Sequence, residues 1–481
     1  MLIVGTIGWS LIGTSGNAKN GSANSSNPVV KNTPNGVPRG NQPQGNPQPG
    51  NRAAEPAREY EEGRDFSDGV AWVRQARKEG QWQFQWHCVD KTGKIVLSLE
   101  PSTTGNWIEE PESNFSHGVA LVRRSGGPLV ELIDKTGKVV SSPKSGEYDE
   151  IKGFIHDIGM IVVSKHMDTF QLTEDRAGII DSNGNWKVPL TNDPVLVAAT
   201  KIRHNSREIL QDSYNISERV GVQGDLRYCG EGVFTLVQRQ PFSTQTLFYN
   251  VLIGDKHTLP EAVATLSRIE NGHGVYLARG AVNRIDKSGN TTEIIKFDQH
   301  NNTGAYLGKY AEGLLYFRVR GNIYNANVPD LVPAGFYDIS GKRIVDLSKY
   351  KIDDYNDYDR PVFADVYCVM NVRNPQGVGY YTVIDKSGKE MFEPRNSPSY
   401  PGASGRNYIA LSTKCGMVVI GENGSEYREK FAKWTIINVT GDIVAEFEAG
   451  HTISDYNEDA TLVKKGTGEI YYIDKTGKRL W

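Results

Sequence analysis

The chain has 481 residues and a net charge of −3, so it can bury a large core and carries no overall basic field suited to nucleic acid. Its 51 glycines and 23 tyrosines are typical of a β-rich protein with many turns. The four cysteines include no CxxC pair, which argues against a zinc site. We expect Cys88 and Cys368 to be buried thiols rather than disulfide partners, because they lie among aromatic and β-branched residues.

The first residues divide into an apolar segment, 1–14, and a polar segment, 15–57. The apolar run is shorter than the ~20 residues that span a bilayer, and it lacks the basic start of a normal signal peptide. It is interpreted either as an export or anchor segment or as an apolar tail without a role. Residues 15–57 are rich in Asn, Gly, Pro, Ser and Gln, which predicts a disordered linker. This order favours a membrane-anchored or secreted protein with an extracytoplasmic domain at 58–481; a cytoplasmic location is the alternative.

A phrase of the form Asp-x-x-Gly-Lys recurs along the chain. Its stricter and looser copies stand at 90–94, 134–138, 181–185, 286–290, 338–342, 385–389, 438–442 and 474–478. A second phrase, "FSDGVAWVR" at 66–74, returns as "FSHGVALVR" at 115–123 and in looser forms before the later copies. The long gap from 181 to 286 leaves room for one degenerate unit, with "VLIGDKHTL" at 251–259 as the candidate. Self-similarity at a period of about 45 residues indicates a repeat architecture.

Each Asp-x-x-Gly-Lys phrase is predicted to form the turn of a β-hairpin. In "LIDKTGKVV" at 132–140, strand-forming residues flank four residues that end in glycine. The aspartate accepts hydrogen bonds from its own turn amides, and the glycine takes a positive φ without strain. Structural roles rather than catalytic or metal-binding ones are therefore expected for Asp90, Gly93, Asp134, Gly137, Asp286, Gly289, Asp338, Gly341, Asp385, Gly388, Asp474 and Gly477.

Taken together, the two phrases resemble those of the WG-repeat (KWG-type) β-repeat proteins of bacteria. The resemblance covers about residues 60–481, is best at 66–94, 115–140 and 455–480, and is degenerate between 190 and 265. The family's glycine before the aromatic-Ile-Asp triplet is clear only at "GIID" (178–181) and "GFYD" (335–338). The family has no shared catalytic residues to transfer. The resemblance implies a module for contacts, often found behind an N-terminal membrane segment.

The predicted fold is all-β, a repeat architecture of about 7–9 three- to four-stranded units. A β-propeller is favoured over an open β-solenoid, because closing the ring removes exposed sheet edges. The last unit is short, and residues 57–65 are the expected source of its missing strand. Residues 197–226 lose the strand alternation and are either a decoration or a decayed repeat, with a short helix expected at 206–214.

Two sets of residues are candidates for a binding surface. The first precedes the glycine of the second phrase, where equivalent turns of a repeat protein share one face; a tight turn that tolerates any polar residue is the alternative. This set comprises Asp68, His117, Glu231, His273 and Glu312. The second lies in "KIDDYNDYDR" at 351–360, whose spacing misses the calcium-loop pattern and so predicts a solvated acidic loop for protein or sugar contacts. It comprises Asp353, Asp354, Tyr355, Asp357 and Tyr358.

The expected function is a non-catalytic binding or interaction module without a cofactor or bound metal. Its partner is expected to be a protein or a cell-envelope glycan, and only the N-terminal segment is expected to contact a membrane. Trp82, Trp86 and Trp107 are among the expected aromatic anchors, although some of these aromatics are expected to lie in the core between blades instead. A secreted carbohydrate-active protein, binding or hydrolysing glycans, is the competing hypothesis. Its hydrolase form requires two carboxylates about 5 to 10 Å apart in a central funnel. A third alternative is a structural spacer.

Overall fold

The structure is a computed structural model that describes residues 60–75, 84–100, 109–124, 129–169, 172–200, 208–209, 213–216, 224–240, 243–259, 266–278, 280–299, 303–324, 328–352, 361–373, 379–392, 395–396, 408–424 and 433–481. Segments 1–14 and 15–57 lie outside this description, as do Trp82, Trp107 and the five residues of the acidic set at 353–358. The described residues belong to one compact unit, Glu55–Trp481.

Nine sheets, which we call blades, follow one another along the described part of the chain. Blade 1 contains β1 (Tyr60–Gly63), β2 (Val70–Gln75), β3 (Trp86–Asp90) and β4 (Ile95–Ser98). Blade 2 contains β5 (Glu110–Pro111), β6 (Val119–Arg123), β7 (Val130–Asp134) and β8 (Val139–Ser141). Blade 3 contains β9 (Glu150–Ile155), β10 (Met160–Thr169), β11 (Leu172–Asp181), β12 (Trp186–Thr191) and the added β13 (Glu208–Ile209).

The middle blades vary in strand number. Blade 4 contains β14 (Ser213–Ile216), β15 (Gly224–Gly230), β16 (Val233–Gln240), β17 (Ser243–Asn250) and β18 (Asp255–Leu259). Blade 5 contains β19 (His273–Ala278), β20 (Ala281–Asp286) and β21 (Thr291–Lys296). Blade 6 contains β22 (Gly304–Ala311), β23 (Leu314–Arg320), β24 (Asp330–Tyr337) and β25 (Arg343–Asp346).

The last three blades complete the array. Blade 7 contains β26 (Lys351–Ile352), β27 (Tyr367–Arg373), β28 (Gly379–Asp385) and β29 (Arg395–Asn396). Blade 8 contains β30 (Tyr408–Lys414), β31 (Met417–Gly424), β32 (Lys433–Asn438) and β33 (Ile443–Glu448). Blade 9 contains β34 (His451–Ile453), β35 (Ala460–Lys465) and β36 (Ile470–Asp474). The expected degenerate unit at 251–259 is present, because these residues form the last turn and last strand of blade 4.

The blades close into a ring through apolar cores that lie between neighbours. Trp72 and Cys88 of blade 1 pack with Phe115 of blade 2 in one such core. At the ends of the array, Tyr60 and Phe66 of blade 1 pack with residues that include Ile470 and Tyr472 of blade 9. Since the first and last blades share a core, the predicted β-propeller is confirmed and an open stack is excluded.

Two details of the terminal blades differ from expectation. Residues 57–65 were expected to complete blade 9, but the described part of this segment, 60–65, does not, because β1 pairs antiparallel with β2 inside blade 1. Blade 9 has its own first strand, β34, and its fourth strand is reduced to the single bridge between Ile473 and Arg479.

The segment between blades 3 and 4 is an insertion rather than a decayed blade. Strand β13 pairs parallel with the first strand of blade 3, β9, and β14 pairs antiparallel with β15 of blade 4. Both therefore extend neighbouring blades beyond their regular first strands. The helix expected at 206–214 is wrong, since these two strands occupy part of that range. The observed helix α1 spans Pro194–Ala199 instead.

Helices are few in the described part of the chain. The side chain of Asp193 caps α1 by accepting hydrogen bonds from the backbone amides of Val195 and Leu196. A single 3₁₀ turn spans Pro143–Ser145. Within the described ranges, neither helix has the length and apolar character needed to cross a membrane.

Candidate binding faces

Two kinds of turn recur in the blades. We call the turn between the first and second regular strands the inner turn, and the turn between the third and fourth the outer turn. Because the strands form an antiparallel meander, both turns lie at one end of the blade, and we call this side of the ring the turn face. The loops between second and third strands, and the connections between blades, lie on the opposite side, the loop face.

The outer turns have the geometry that the Asp-x-x-Gly-Lys phrase predicts. In blade 2, Asp134 Oδ1 accepts hydrogen bonds from the backbone amides of Thr136 (2.8 Å) and Lys138 (3.1 Å). The Thr136 hydroxyl donates a further bond at 2.6 Å, and this bond is the main reason that the pKa of Asp134 lies below its ordinary value. The same bonds to the turn amides recur at Asp90, Asp286, Asp338, Asp385 and Asp474.

The glycine of the outer turn also packs against the preceding blade. Gly137 has a φ of +84°, and an added Cβ would lie 2.8 Å from Leu97 Cδ1 of blade 1. Gly93 of blade 1 faces Trp481 in the same way, with an added Cβ 2.6 Å from the indole Cγ. Trp481 of blade 9 thus takes the place that Leu97, a residue of the fourth strand, has in blade 1.

The inner turns contain left-handed residues that are not glycine. In blade 1, Asp68 has a φ of +56° and Gly69 a φ of +78°, the pair of positive values that defines a type I′ hairpin. A left-handed residue of this kind occurs in the inner turns of eight blades: Asp68, His117, Glu231, Asn271, Glu312, Asp365, Cys415 and Glu458. Several of them belong to the first candidate set, and their side chains have specific partners.

Carboxylates of the inner turns connect successive blades. The Asp68 carboxylate accepts a hydrogen bond from the backbone amide of Gly118 in blade 2, at 2.7 Å. We call this arrangement the carboxylate link. Seven of the nine interfaces have one, with acceptor and donor as follows: Glu458 and Gly69, Asp68 and Gly118, Asp157 and Glu231, Glu231 and Gly272, Glu270 and Glu312, Glu312 and Val366, Asp365 and Cys415.

Lysines of the outer turns reinforce three of these links. Lys135 of blade 2 donates to the backbone carbonyl of Asp68 at 2.5 Å, and Lys386 of blade 7 donates to that of Glu312 at 3.2 Å. Lys91 of blade 1 donates to the carbonyl of Glu458 in blade 9. These contacts place inner and outer turns of neighbouring blades side by side on the turn face.

The remaining two interfaces use other groups. The imidazole of His117 lies against Gly159 of blade 3, where an added Cβ would stand 2.5 Å from its Cγ. Cys415 of blade 8 faces blade 9, with its Sγ 4.0 Å from the carbonyl oxygen of Tyr456. Neither is a carboxylate, so these two contacts lack a charge-assisted hydrogen bond.

The structure therefore distributes the first candidate set unevenly. Asp68, Glu231 and Glu312 are engaged in carboxylate links, and His117 packs on the next blade. His273 lies elsewhere: it begins β19, and the left-handed pair of its blade is Asn271 and Gly272. Sequence reasoning did not single out Asp157, Glu270, Asp365 and Glu458, although a polar residue before the second strand was the available signal.

The loop face carries the most exposed aromatic side chain of the described residues. Tyr324 is 82% exposed, in the loop between β23 and β24 of blade 6, and Leu331 nearby is 45% exposed. The base of this loop is fixed by Arg318 and Asp330, whose Nε and Oδ2 atoms lie 2.8 Å apart. Trp86, expected as an anchor, is buried in the core between blades 1 and 2 instead.

The described thiols are unpaired, as expected for Cys88 and Cys368. Burial raises the pKa of Cys229 to about 11 and that of Cys88 to about 12, so both stay protonated near neutral pH. Within the described part of the chain, His, Cys, Asp and Glu side chains form no group of three or more with a metal-binding arrangement.

The chain has a distant similarity to several solved structures. Among solved structures the chain is similar to a prolyl endopeptidase (11% identity, TM-score 0.33), covering 76% of this chain and 55% of that chain. It is similar to a eukaryotic initiation factor (8% identity, TM-score 0.35), covering 80% and 96%. It is also similar to the uncharacterized protein lmo1340 from Listeria monocytogenes EGD-e (11% identity, TM-score 0.29), covering 74% and 91%. No curated protein matched the sequence.

The family comparison matches a segment at the start of the ring. Residues 56–78, which include β1, the inner turn of blade 1 and β2, match the model described as WG containing repeat. The same inner and outer turns recur in the later blades. Residues 56–78 thus match a WG repeat, and the described part of the chain repeats the same turn geometry in a ring of nine blades.

Proposed function

We propose that the chain is a non-catalytic binding module that recognises its partner with the loop face. The observation that carries this proposal is the unequal use of the two faces. Side chains of the turn face are engaged in contacts between blades, since seven interfaces of the described residues contain a carboxylate link. Residues committed to such contacts cannot change freely with the partner, whereas the loop-face connections differ in length and sequence from blade to blade.

The loop of blade 6 supports a partner with an apolar contact area. Tyr324 presents a large surface at a low cost in conformational entropy. Val328 in the same loop and Leu331 at the start of β24 are also exposed. At the base of the loop, Arg318 and Asp330 form an ion pair, so their opposite charges cancel close to the exposed apolar side chains. A protein partner is favoured over a nucleic acid, which needs basic side chains.

A glycan is the second candidate partner, because the exposed ring of Tyr324 can stack on a sugar. We further propose that the N-terminal segments tether the ring to the extracytoplasmic face of a bacterial membrane. That part of the proposal rests on the composition of residues 1–57. It is independent of the binding face and needs its own test, fractionation of cells that express the full chain.

The binding proposal is tested with the purified full chain and two immobilised fractions, cell-envelope polysaccharide and solubilised envelope proteins. Tyr324→Ala removes the exposed ring of the loop face, and Ile253→Ala is the control, since Ile253 is 51% exposed in the outer turn of blade 4 on the turn face. A loss of retention with Tyr324→Ala but not with Ile253→Ala supports the loop face. The opposite pattern overturns the proposal, as does a failure of both fractions to retain the protein. Retention of the protein by polysaccharide alone selects the glycan as partner.

A further inference from the structure

The interface between blades 9 and 1, which we call the seam, has no strand that crosses it among the described residues. Blade 1 is built from β1 to β4, and blade 9 from β34 to β36. Among the described residues, the two ends of the array are held together by side chains that contact side chains or backbone groups of the opposite blade. They include Phe66 and Tyr472, whose rings meet edge to face with centroids 4.9 Å apart.

Polar contacts at the seam surround one acidic side chain, Asp65. The carboxylate link of Glu458 to the Gly69 amide (2.8 Å) lies at the inner turns. Beside it, the Tyr472 hydroxyl donates to the carbonyl of Arg64 at 2.5 Å. Asp65 Oδ2 accepts a hydrogen bond from the Asn457 amide nitrogen at 3.1 Å. Asp65 thus lies between the aromatic core and the link, facing blade 9.

The surroundings of Asp65 disfavour its charged form. Burial is the main cause that raises its pKa above the ordinary value of 3.8, and the like charge of Asp455 on blade 9 acts in the same direction. Lys414 of blade 8 and hydrogen bonds from Ser454 and Asn457 oppose the shift without cancelling it. Tyr472 also faces Asp65, but burial raises its pKa well above 10, so it stays neutral.

We propose that the seam is a pH-sensitive latch, in which ionisation of Asp65 weakens the contact of blade 9 with blade 1 and protonation strengthens it. Opening the seam returns Asp65 to water, where its charge is fully hydrated. A group whose pKa is raised in the closed state contributes stability below its ordinary pKa and loses that contribution as pH rises. The closed ring is therefore held most tightly by this group in acid and less tightly at neutral pH.

The sequence itself provides a neutral version of this position. Asp65 precedes Phe66 and Ser67 in blade 1, and Asn114 precedes Phe115 and Ser116 in blade 2. Asparagine is therefore compatible with this turn. Asp65→Asn keeps an acceptor oxygen for Asn457 and removes the charge. This variant should tighten the seam at neutral pH, an outcome that loss of a merely structural contact does not give.

Hydrogen exchange of the full chain, read by mass spectrometry, tests the latch. The seam strands β1 and β36 are compared with β6 and β7 as internal reference, for wild type and Asp65→Asn at the same pH. At about pH 8 the variant should lower seam exchange several-fold, and at about pH 3 the two proteins should exchange alike. Unchanged or faster exchange of the variant at the higher pH overturns the proposal.

A second variant leaves Asp65 in place, so that a folding failure of Asp65→Asn does not leave the latch untested. Asp455→Asn removes the like charge that faces Asp65, so it should slow seam exchange at about pH 8 in the wild-type background. Unchanged or faster seam exchange of this single variant at about pH 8 overturns the proposal. Where Asp65→Asn folds, combining the two substitutions should have no further effect. Slowing that persists in the double variant assigns the effect to Asp455 alone and rejects the latch. This test uses no ligand, so its outcome is independent of the binding proposal.

Discussion

The interface of blades 1 and 2 and the seam of blades 9 and 1 are built from the same contacts. A carboxylate link joins Asp68 to Gly118 in the first and Glu458 to Gly69 in the second. An outer-turn glycine, Gly137, packs on Leu97 in the first, and its counterpart at the seam packs on Trp481. Each repeat thus encodes the contacts of its own interface, and the same contacts join the last blade to the first.

The two interfaces differ in whether the polypeptide chain connects the two blades directly. Between blades 1 and 2 the chain continues from β4 to β5, so separated blades remain neighbours and re-form their contacts rapidly. Trp72 also stacks on Phe115, with centroids 5.4 Å apart, and donates its indole N–H to the carbonyl of Ser113. At the seam no such connection exists among the described strands. Equal losses of side-chain contact should therefore open the seam more readily than the internal interface.

Removal of one large aromatic side chain from each interface should give the largest effect. Tyr472→Ala at the seam and Trp72→Ala inside the ring each delete a fully buried ring, and each should cost about 3 to 5 kcal/mol. We expect Trp72→Ala to lower the denaturation midpoint while unfolding stays cooperative. Tyr472→Ala should in addition expose blade 9 to limited proteolysis before global unfolding. Equal protease resistance of the two variants would remove the distinction between the interfaces.

The fourth strands offer a second matched pair. Trp481 contacts Tyr60 and Tyr472 with ring centroids 5.5 and 5.1 Å away, and Leu97 holds the equivalent place in blade 1. Both side chains are partly exposed, so Trp481→Ala and Leu97→Ala should each cost about 2 kcal/mol in chemical denaturation. The Trp481 variant should also speed hydrogen exchange of β36, whereas the Leu97 variant should leave it unchanged. An unchanged β36 in both would show that Trp481 does not hold the seam.

The carboxylate links give a smaller effect. Glu458→Ala and Asp68→Ala each remove the acceptor of one exposed or half-exposed backbone amide, and each should cost about 1 kcal/mol. The freed amide can bind water, which limits the loss. Denaturation at low and high salt separates the ion-pair contribution from the hydrogen-bond contribution. Salt screens the attraction of Lys91 to Glu458 and of Lys135 to Asp68, whereas it affects the hydrogen bond to the backbone amide less. If both variants match wild type, the links set register without contributing stability.

The architecture was predictable because its signals are local. Asp134 and Gly137 belong to one turn whose hydrogen bonds lie within five residues, so the phrase alone indicates both its shape and its repetition. The links were not predictable, since the partner of Asp68 is 50 residues away and its identity depends on how neighbouring blades pack. A decoration was one of two alternatives for residues 197–226, but its strands β13 and β14 were not predicted, because they add to edges supplied by other segments.

The displacement of His273 has a local cause. "NGHG" contains two glycines, and the phrase was aligned on Gly274, which lies within strand β19. An added Cβ at Gly274 would lie 2.7 Å from Ile269 Cδ1, so this glycine serves close packing and not a turn. The backbone φ distinguishes the turn glycine from the packing glycine: Gly272, in the turn, has a φ of +78°, whereas Gly274 is not left-handed. A second glycine within three residues therefore makes the register of the inner turn ambiguous in sequence.

The inner turn of blade 7 allows the mildest test of these ideas. Val366 has a φ of +66°, a conformation that costs a β-branched residue about 1 to 2 kcal/mol, and its side chain is 49% exposed. Glycine takes this φ without strain, so Val366→Gly should stabilise the chain by up to about 1 kcal/mol after the entropy lost on folding is subtracted. The link from Glu312 depends only on the backbone amide and is kept.

The reverse exchange in blade 6 provides the control. Gly313 has a φ of +81° and no atom within 4 Å of an added Cβ, so the cost of Gly313→Val comes from the backbone alone. Thermal denaturation should show opposite shifts of similar size for the two variants, a few degrees or less in a chain of this length. If Val366→Gly destabilises the chain, the valine side chain makes a contact in blade 7 that stabilises the fold by more than the strain of its positive φ costs. The inner turns would then owe their shape to packing between blades rather than to local conformational preference.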